Sequence, residues 1–307
     1  MNEKQRNKYN ELMKQVDKHL IKNNKRQARD GKTTYKKNIN AFVKHLSINY
    51  GSQNFKNLND KHIISFVNER QGKVATKTLL NELSAIRKLH SLLPQKRYEE
   101  LIENEDLNIK RDDLDVNNEK VDRAWTSEEY QRALDIAENM GRNDVVEALT
   151  LTRHFGTRIN EVTALTRQQL QESLKKGYLH LTNTKNGVPR DVPLETNGAR
   201  NDVERILERN HNDQLFIKNT VTHVKAKSRI QKWIRDHRPK FENRLERAWS
   251  EADGREKARL THHGIRHMYA RERFNEFKEQ NMTDKQAKIS VSHRLGHGRD
   301  AVTNKYL

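Results

Sequence analysis

The chain has no cysteine among its 307 residues, so disulfides, thiolate nucleophiles and cysteine-ligated zinc are excluded. Any catalysis must run on oxygen and nitrogen groups. Proline (4) and glycine (12) are scarce, which argues against a linker-like or broadly disordered chain. Hydrophobic residues make up only 33%, low for a globular protein, yet they recur at helical spacing. No apolar run approaches the roughly 18 to 20 residues of a membrane span. The opening MNEKQRNKYNELMKQ lacks an apolar signal core. A soluble, cytoplasmic protein without a membrane partner is expected. Acids are also in short supply, 42 Asp and Glu against 60 Lys and Arg, for a net charge of +18 and a pI near 9.9. That excess points to a polyanionic partner, most often nucleic acid. At about 150 residues per domain, the length suggests two domains or one with additions.

Residues 1–32 are rich in Lys, Asn and Gln, with Leu12, Val16 and Leu20 as spaced apolar positions. They read as a basic N-terminal extension, a marginal helix outside any core. Residues 33–103 carry apolar residues in short helical units: Tyr35, Ile39, Phe42 and Leu46, then Ile63, Ile64 and Val67, then Leu79, Leu83, Ile86 and Leu93. This predicts a bundle of about four helices. In the third unit Lys77, Asn81, Ser84, Lys88 and Ser91 form an acid-free stripe opposite the apolar face. The stripe reads either as a solvated face or as a surface against phosphates, and Lys77, Asn81 and Lys88 are candidate DNA contacts. Residues 104–123 become polar and acidic without periodicity, the candidate linker, and 124–307 form the second domain. There, Thr126 with Glu129 predicts a helix start, residues 144–154 a helix ending at Gly156, and Arg158 the start of a third with Ile159, Val162 and Leu165 inward. YLHLTNT, then Lys185-Asn186-Gly187, then VPRDVPL predicts a β-hairpin. Helices are expected again over 201–210, around 228–236 and to the end. The expected fold class is mainly α with a small β-hairpin, α+β.

Taken singly, the polar residues of the second half are weak signals. Arg158 in FGTRINEV fits a helix-end arginine paired with Glu161. His263 and His267 stand at i, i+4, as do His293 and His297. Without cysteine, H-E-x-x-H or a carboxylate within either pair, no metal site is expected. Tyr306 alone is one more ring. Residues 218–247 hold ten Lys or Arg against three acids, and Lys225, Lys227 and Arg229 are candidate DNA contacts there.

In order and together, four segments resemble the tyrosine recombinase family, the phage-integrase type of site-specific DNA recombinase. FGTRINEV resembles its first arginine box, with Arg158 as the arginine and Glu161 as the acid that follows. TKNGVPRDVPL resembles the hairpin that carries the active-site lysine, at Lys185. HHGIRHMYA resembles the H-x-x-R-H box, giving His263 and Arg266, with His267 next. RLGHGRDAVTNKYL resembles the last box, giving His297 and the nucleophile Tyr306. F-G-T-R stands where the family has T-G-L-R, and I-R-H where it has L-R-H; both keep the arginine.

The resemblance implies a two-domain, C-shaped clamp on DNA, with 33–103 as the core-binding domain and 124–307 as the catalytic domain. It implies that Tyr306 attacks the scissile phosphate to give a 3′-phosphotyrosyl intermediate and a free 5′-hydroxyl. Arg158 and Arg266 would hold the phosphate oxygens, a task suited to a group that stays protonated and donates in pairs. Lys185 would protonate the leaving oxygen, His263 would help accept the tyrosine proton and His297 would hydrogen-bond the phosphate. No metal, ATP or other cofactor is required. The implied partners are double-stranded DNA with specific recombination sites and, on paired sites, further copies of this chain in a homo-tetramer. Since the chain stops one residue after Tyr306, where relatives carry a further helix, a free monomer is expected. The implied setting is bacterial or phage-encoded, acting on the nucleoid. Two other readings compete: a catalytically silent DNA-binding relative, and an enzyme resembling a type IB topoisomerase or telomere resolvase. The six filled positions count against the first, and compact size and the L-G-H box against the second.

Overall fold

The structure, a computed structural model, describes residues 1–22, 29–51, 54–109, 123–184, 187–217, 221–243, 259–296, 303–304 and 306–307. The chain falls into two compact units, 1–119 and 120–307. Each has its own hydrophobic core. No helix among the described residues is long and apolar enough to cross a membrane.

The first unit comprises α1 (Glu3–Val16), a π-helical turn (Asp17–Lys22), α2 (Arg29–Asn49), α3 (Asp60–Arg70) and α4 (Thr76–Ser91). α1 opens with a capping box in which the Asn2 and Gln5 side chains each take the other's backbone N–H. Its Leu12 and Val16, with Leu20 in the turn, are fully buried against Ile39, Phe42 and Val43 of α2. The segment read as an extension outside the core is therefore part of it. Its average composition is polar, but three large side chains at i, i+4 and i+8 share one face, and tertiary packing decides the outcome. Polar contacts fix the docking: the Tyr9 hydroxyl donates to Asn40 Oδ1 at 2.8 Å, and Phe55 N donates to Gln15 Oε1 at 3.1 Å. Leu12→Ala should accordingly destabilise the first unit by about 2–5 kcal/mol, whereas Lys14→Ala, on the exposed face, should stay within about 0.5 kcal/mol. Thermal or urea unfolding of the full chain distinguishes them; equal, small effects would return α1 to the status of a loose extension.

The candidate linker also begins later than its composition suggests. Leu101, Leu107 and Ile109 are buried in the first core, and Arg87 donates to Asn104 Oδ1 at 2.8 Å and to the Ile102 carbonyl at 2.5 Å. Residues 110–122 lie outside the described residues.

The second unit runs α5 (Ser127–Asn139), α6 (Asn143–Phe155), α7 (Ile159–Val162), α8 (Arg167–Lys176), β1 (Tyr178–Leu181), β2 (Arg190–Pro193), α9 (Asn197–Arg209), α10 (His223–Phe241), α11 (His262–Glu279) and α12 (Asp284–Leu295). Thr126 and Glu129 form the expected capping box of α5. The helix expected from Arg158 is a single turn, because Thr166 already caps α8. The strands pair antiparallel, Tyr178 with Pro193 through Leu181 with Arg190. The hairpin thus forms, but its ladder stops at Leu181 and resumes at Arg190, so the connection is longer than the expected Lys185-Asn186-Gly187, of which Lys185 and Asn186 lie outside the described residues. Pro189 has no N–H to donate and Thr184 ties the connection locally, its N–H and Oγ1 bonding Thr182 O at 3.0 Å and Val188 O at 2.7 Å. Under the site, Trp125 stacks on Phe241 with ring centres 5.1 Å apart and donates from Nε1 to the Thr261 carbonyl at 2.9 Å, fixing the start of α11.

Candidate active site

Four stretches distant in sequence converge at the ends of α6, α7, β2, α11 and α12. α6 ends at Gly156, whose φ of 56° is left-handed. A Cβ there would come within 2.5 Å of the Tyr269 ring, so the turn requires glycine on both counts. This turn delivers Arg158 to the N-cap of α7, where its backbone N–H and its Nη1 donate to the two oxygens of Glu161, each at 2.8 Å. The arginine paired with Glu161 and the arginine of the site are thus the same residue.

Glu161 is only 2% exposed and faces three guanidiniums. Arg190 of β2 meets it with two hydrogen bonds, at 3.1 and 2.6 Å, and Arg266 of α11 lies 3.8 Å away. Burial alone would raise its pKa; the hydrogen bonds and charge of Arg190, the Arg158 N–H and the charge of Arg266 overcome this and hold it at about 2. The carboxylate is therefore ionised throughout the physiological range.

Arg266 is fully buried. It donates to the carbonyl of Gly156 and, at 2.6 Å, to that of Leu295 at the end of α12. It therefore joins the first arginine box to the leucine of L-G-H. Burial and the nearby charge of Arg158 lower its pKa to about 10, with Tyr306 acting in the opposite direction. It remains a cation at neutral pH. On the outer side, Glu195 accepts from Arg294 at 2.6 and 2.5 Å and from Arg273 at 3.2 Å, pinning α12 to α11 and to the residue just beyond β2.

Tyr306, 8% exposed, lies over this cluster. Its hydroxyl is 3.4 Å from His263 Nε2, its ring stacks on His267 with centres 4.3 Å apart, and the Arg266 guanidinium sits 5.6 Å from the ring centre. His263 and His267 thus both turn toward the tyrosine. Among the described residues no group of three or more His, Asp or Glu side chains could hold a metal ion. Behind them, buried His262 hydrogen-bonds Thr152 Oγ1 at 2.9 Å, and Thr152 reaches Thr157 at 3.0 Å, linking the start of α11 to the turn that carries Arg158. Burial and the neighbouring His263 push the His262 pKa down to about 3, so it works as a neutral ring.

The structure brings together Arg158, His263, Arg266 and Tyr306. Lys185 and His297 lie outside the described residues. Lys77 and Asn81 are exposed and Lys88 half-buried on α4, whose opposite face buries Leu79, Leu83 and Ile86. Lys225 and Arg229 are exposed and Lys227 half-buried on α10, flanking the buried Ala226, Ile230 and Trp233. Sequence reasoning gave Arg190 no role. The signal was present in the strand period: Arg190 alternates in phase with Val192 and Leu194, which places a charge facing inward.

Two family descriptions match the chain: phage integrase, N-terminal SAM-like domain, over residues 17–97, and phage integrase family over residues 123–307. Among solved structures, a lambda integrase tetramer bound to a Holliday junction matches with a TM-score of 0.62 at 15% identity, over 96% of this chain and 76% of that one. The Tn1549 transposon integrase in complex with transposon right end DNA matches at 0.60 and 12% identity, over 96% and 94%. The XerH site-specific recombinase bound to difH matches at 0.56 and 18% identity, over 96% and 80%. No curated protein matches the chain significantly.

Proposed function

The chain belongs to the phage integrase family, whose members are site-specific tyrosine recombinases that cleave and rejoin DNA, and from that premise we propose that it works through a 3′-phosphotyrosyl intermediate formed by Tyr306. The observation that carries this reading is the Tyr306 hydroxyl held 3.4 Å from His263 Nε2, with the Arg266 guanidinium 5.6 Å from its ring centre. In the forward step the tyrosine oxygen bonds to phosphorus as the bond to the 5′-oxygen breaks. His263 takes the phenolic proton, and the leaving oxygen receives one from Lys185. Arg158 and Arg266 hold the charge that grows on the non-bridging oxygens. His297 hydrogen-bonds the phosphate. The energy of the broken bond is kept in the ester, so rejoining is the same step reversed and needs no cofactor.

On this reading the two units clamp duplex DNA, with Lys77, Asn81 and Lys88 on one and Lys225, Lys227 and Arg229 on the other meeting phosphates. Strand exchange between paired sites then takes four copies of the chain in a closed ring. A silent DNA-binding relative would have no use for a tyrosine hydroxyl set against a histidine.

The reading is tested by incubating the protein with a nicked duplex that traps the covalent complex; absence of a protein–DNA adduct would remove it. A sulfur-substituted substrate separates the roles. With sulfur at the 5′-bridging position the leaving group needs no proton, so Lys185→Ala should be largely rescued there, and Arg158→Ala should not. Equal rescue of both would show that the hairpin lysine is not the acid.

A further inference from the structure

We propose that Arg190 is a positioning residue of strand cleavage: it neutralises the buried Glu161 carboxylate, so that the charges of Arg158 and Arg266 remain directed at the scissile phosphate. This rests on the reading of the site given above.

Glu161 could have been a liability in such a site. It places a full negative charge, 2% exposed, next to the two arginines that must meet another anion. Among the described residues, the charged groups facing that carboxylate come from three elements: Arg158 from the cap of α7, Arg190 from β2 and Arg266 from α11. From α10, His223 bonds Thr163 Oγ1 and the Asn160 carbonyl, not the carboxylate. α12 contributes backbone carbonyls. Of the three arginines only Arg190 engages both carboxylate oxygens through its side chain, in the two-pronged geometry that fits guanidinium to carboxylate. One negative charge is thus matched by Arg190, and the positive charge of the other two is left in surplus for the phosphate. Without Arg190, Glu161 would be neutralised by Arg158 and Arg266 alone, and the surplus would fall by half.

The rest of the Arg190 side chain shows that the fold holds it in this place. Its Nε donates to the Arg294 carbonyl at 3.0 Å, beside the Leu295 carbonyl that Arg266 holds. The glycine of L-G-H makes room for it: Gly296 has φ 66°, and a Cβ there would stand 2.9 Å from Arg190 Cδ. Arg190 therefore ties the base of the hairpin, the first arginine box and the Gly296 turn into one unit.

The test is single-turnover adduct formation on the nicked duplex, comparing the wild-type chain, Arg190→Met and the double variant Arg190→Met with Glu161→Gln. At neutral pH the single variant should be slower by about 100-fold, the scale on which one charge-stabilising group matters. Removing the carboxylate charge in the double variant should recover most of that loss, to within about 10-fold of wild type. The single variant should also regain activity relative to wild type as pH falls from about 8 to about 5.5, because a Glu161 carboxyl deprived of Arg190 rises from its depressed value and takes up a proton. Titrations shared by both proteins cancel in the ratio. A purely structural ion pair would leave that ratio flat. Circular dichroism and melting report folding; should Arg190→Met not fold, the double variant decides alone, since cleavage within about 10-fold of wild type supports the assignment and a deeper loss overturns it. Wild-type rates in Arg190→Met, a folded double variant no faster than the single one, or a pH-independent ratio would each overturn it. Failure of the wild-type chain to form any adduct is a different result, which removes the underlying recombinase mechanism.

Discussion

Tyr306→Phe will abolish the covalent adduct on a nicked duplex and leave duplex affinity within a few-fold of wild type. The substitution deletes one oxygen, the atom proposed to bond to phosphorus, and phenylalanine offers no nucleophile in its place. What it keeps is the ring. The stacking on His267 at 4.3 Å and the approach of Arg266 at 5.6 Å are contacts of the aromatic face and survive in phenylalanine. The hydrogen bond that is lost, to His263 at 3.4 Å, is long, so the change in stability should stay below about 1 kcal/mol. Affinity comes from elsewhere: with a net charge of +18, binding is dominated by neutralised phosphates. The expected pattern is therefore a folded, DNA-bound, chemically silent protein. It is read by denaturing gel for the adduct and by titration for binding. An adduct from the Phe variant would mean that another residue is the nucleophile.

Much of this architecture is legible in the sequence where one local rule decides. Thr126 with Glu129, Gly156 after an apolar helix, and Asn186-Gly187 between alternating segments each carry their own mechanism, and a helix start, a helix stop and a hairpin stand there. The reading fails where a composition average hides a periodic minority. Leu12, Val16 and Leu20 are three residues in a lysine-rich segment, yet burying that one stripe brings α1 into the core. It fails again at hairpin register, where the ladder stops at Leu181 and resumes at Arg190: Pro189 has no N–H to pair, and Thr184 bonds within the connection through its N–H and its hydroxyl. The candidate site shows the same division. Arg158, His263, Arg266 and Tyr306 are visible as ordered boxes, but spacing along the chain carries no information about the 3.4 Å between Tyr306 and His263. The charge network beneath them is less visible still. Arg190 and the His262–Thr152–Thr157 chain act by burial, which depends on elements far apart in sequence.

The two arginines proposed to hold the phosphate should separate on stability while failing together on cleavage. Arg158 has a side chain 21% exposed and one side-chain bond to Glu161 at 2.8 Å, and in its absence Glu161 keeps both bonds from Arg190. Arg158→Ala should therefore cost less than removing Arg266, about 1.5–3 kcal/mol, since one hydrogen bond to a charged group is lost while Arg190 still neutralises the carboxylate. Arg266 is fully buried, holds the carbonyls of Gly156 and Leu295, and lies 3.8 Å from Glu161. Its removal leaves a void, two carbonyls without that donor, and a carboxylate with one counter-charge fewer. Breaking a buried charged cluster from one side typically costs about 3–5 kcal/mol, and Arg266→Ala should fall in that range. Both variants should lose adduct formation by at least about 100-fold, because each removes positive charge from the pentacoordinate phosphate. Arg266→Lys extends the argument. It retains the cation, but a single ammonium cannot span the carbonyls of α6 and α12 as a planar fork does, so stability should stay low and cleavage impaired. Melting curves and adduct yields for the three proteins settle the matter. If Arg266→Ala melts with the wild type, the buried guanidinium does not hold the boxes together. If Arg158→Ala still cleaves within about 10-fold of wild type, the phosphate charge is met by a different residue.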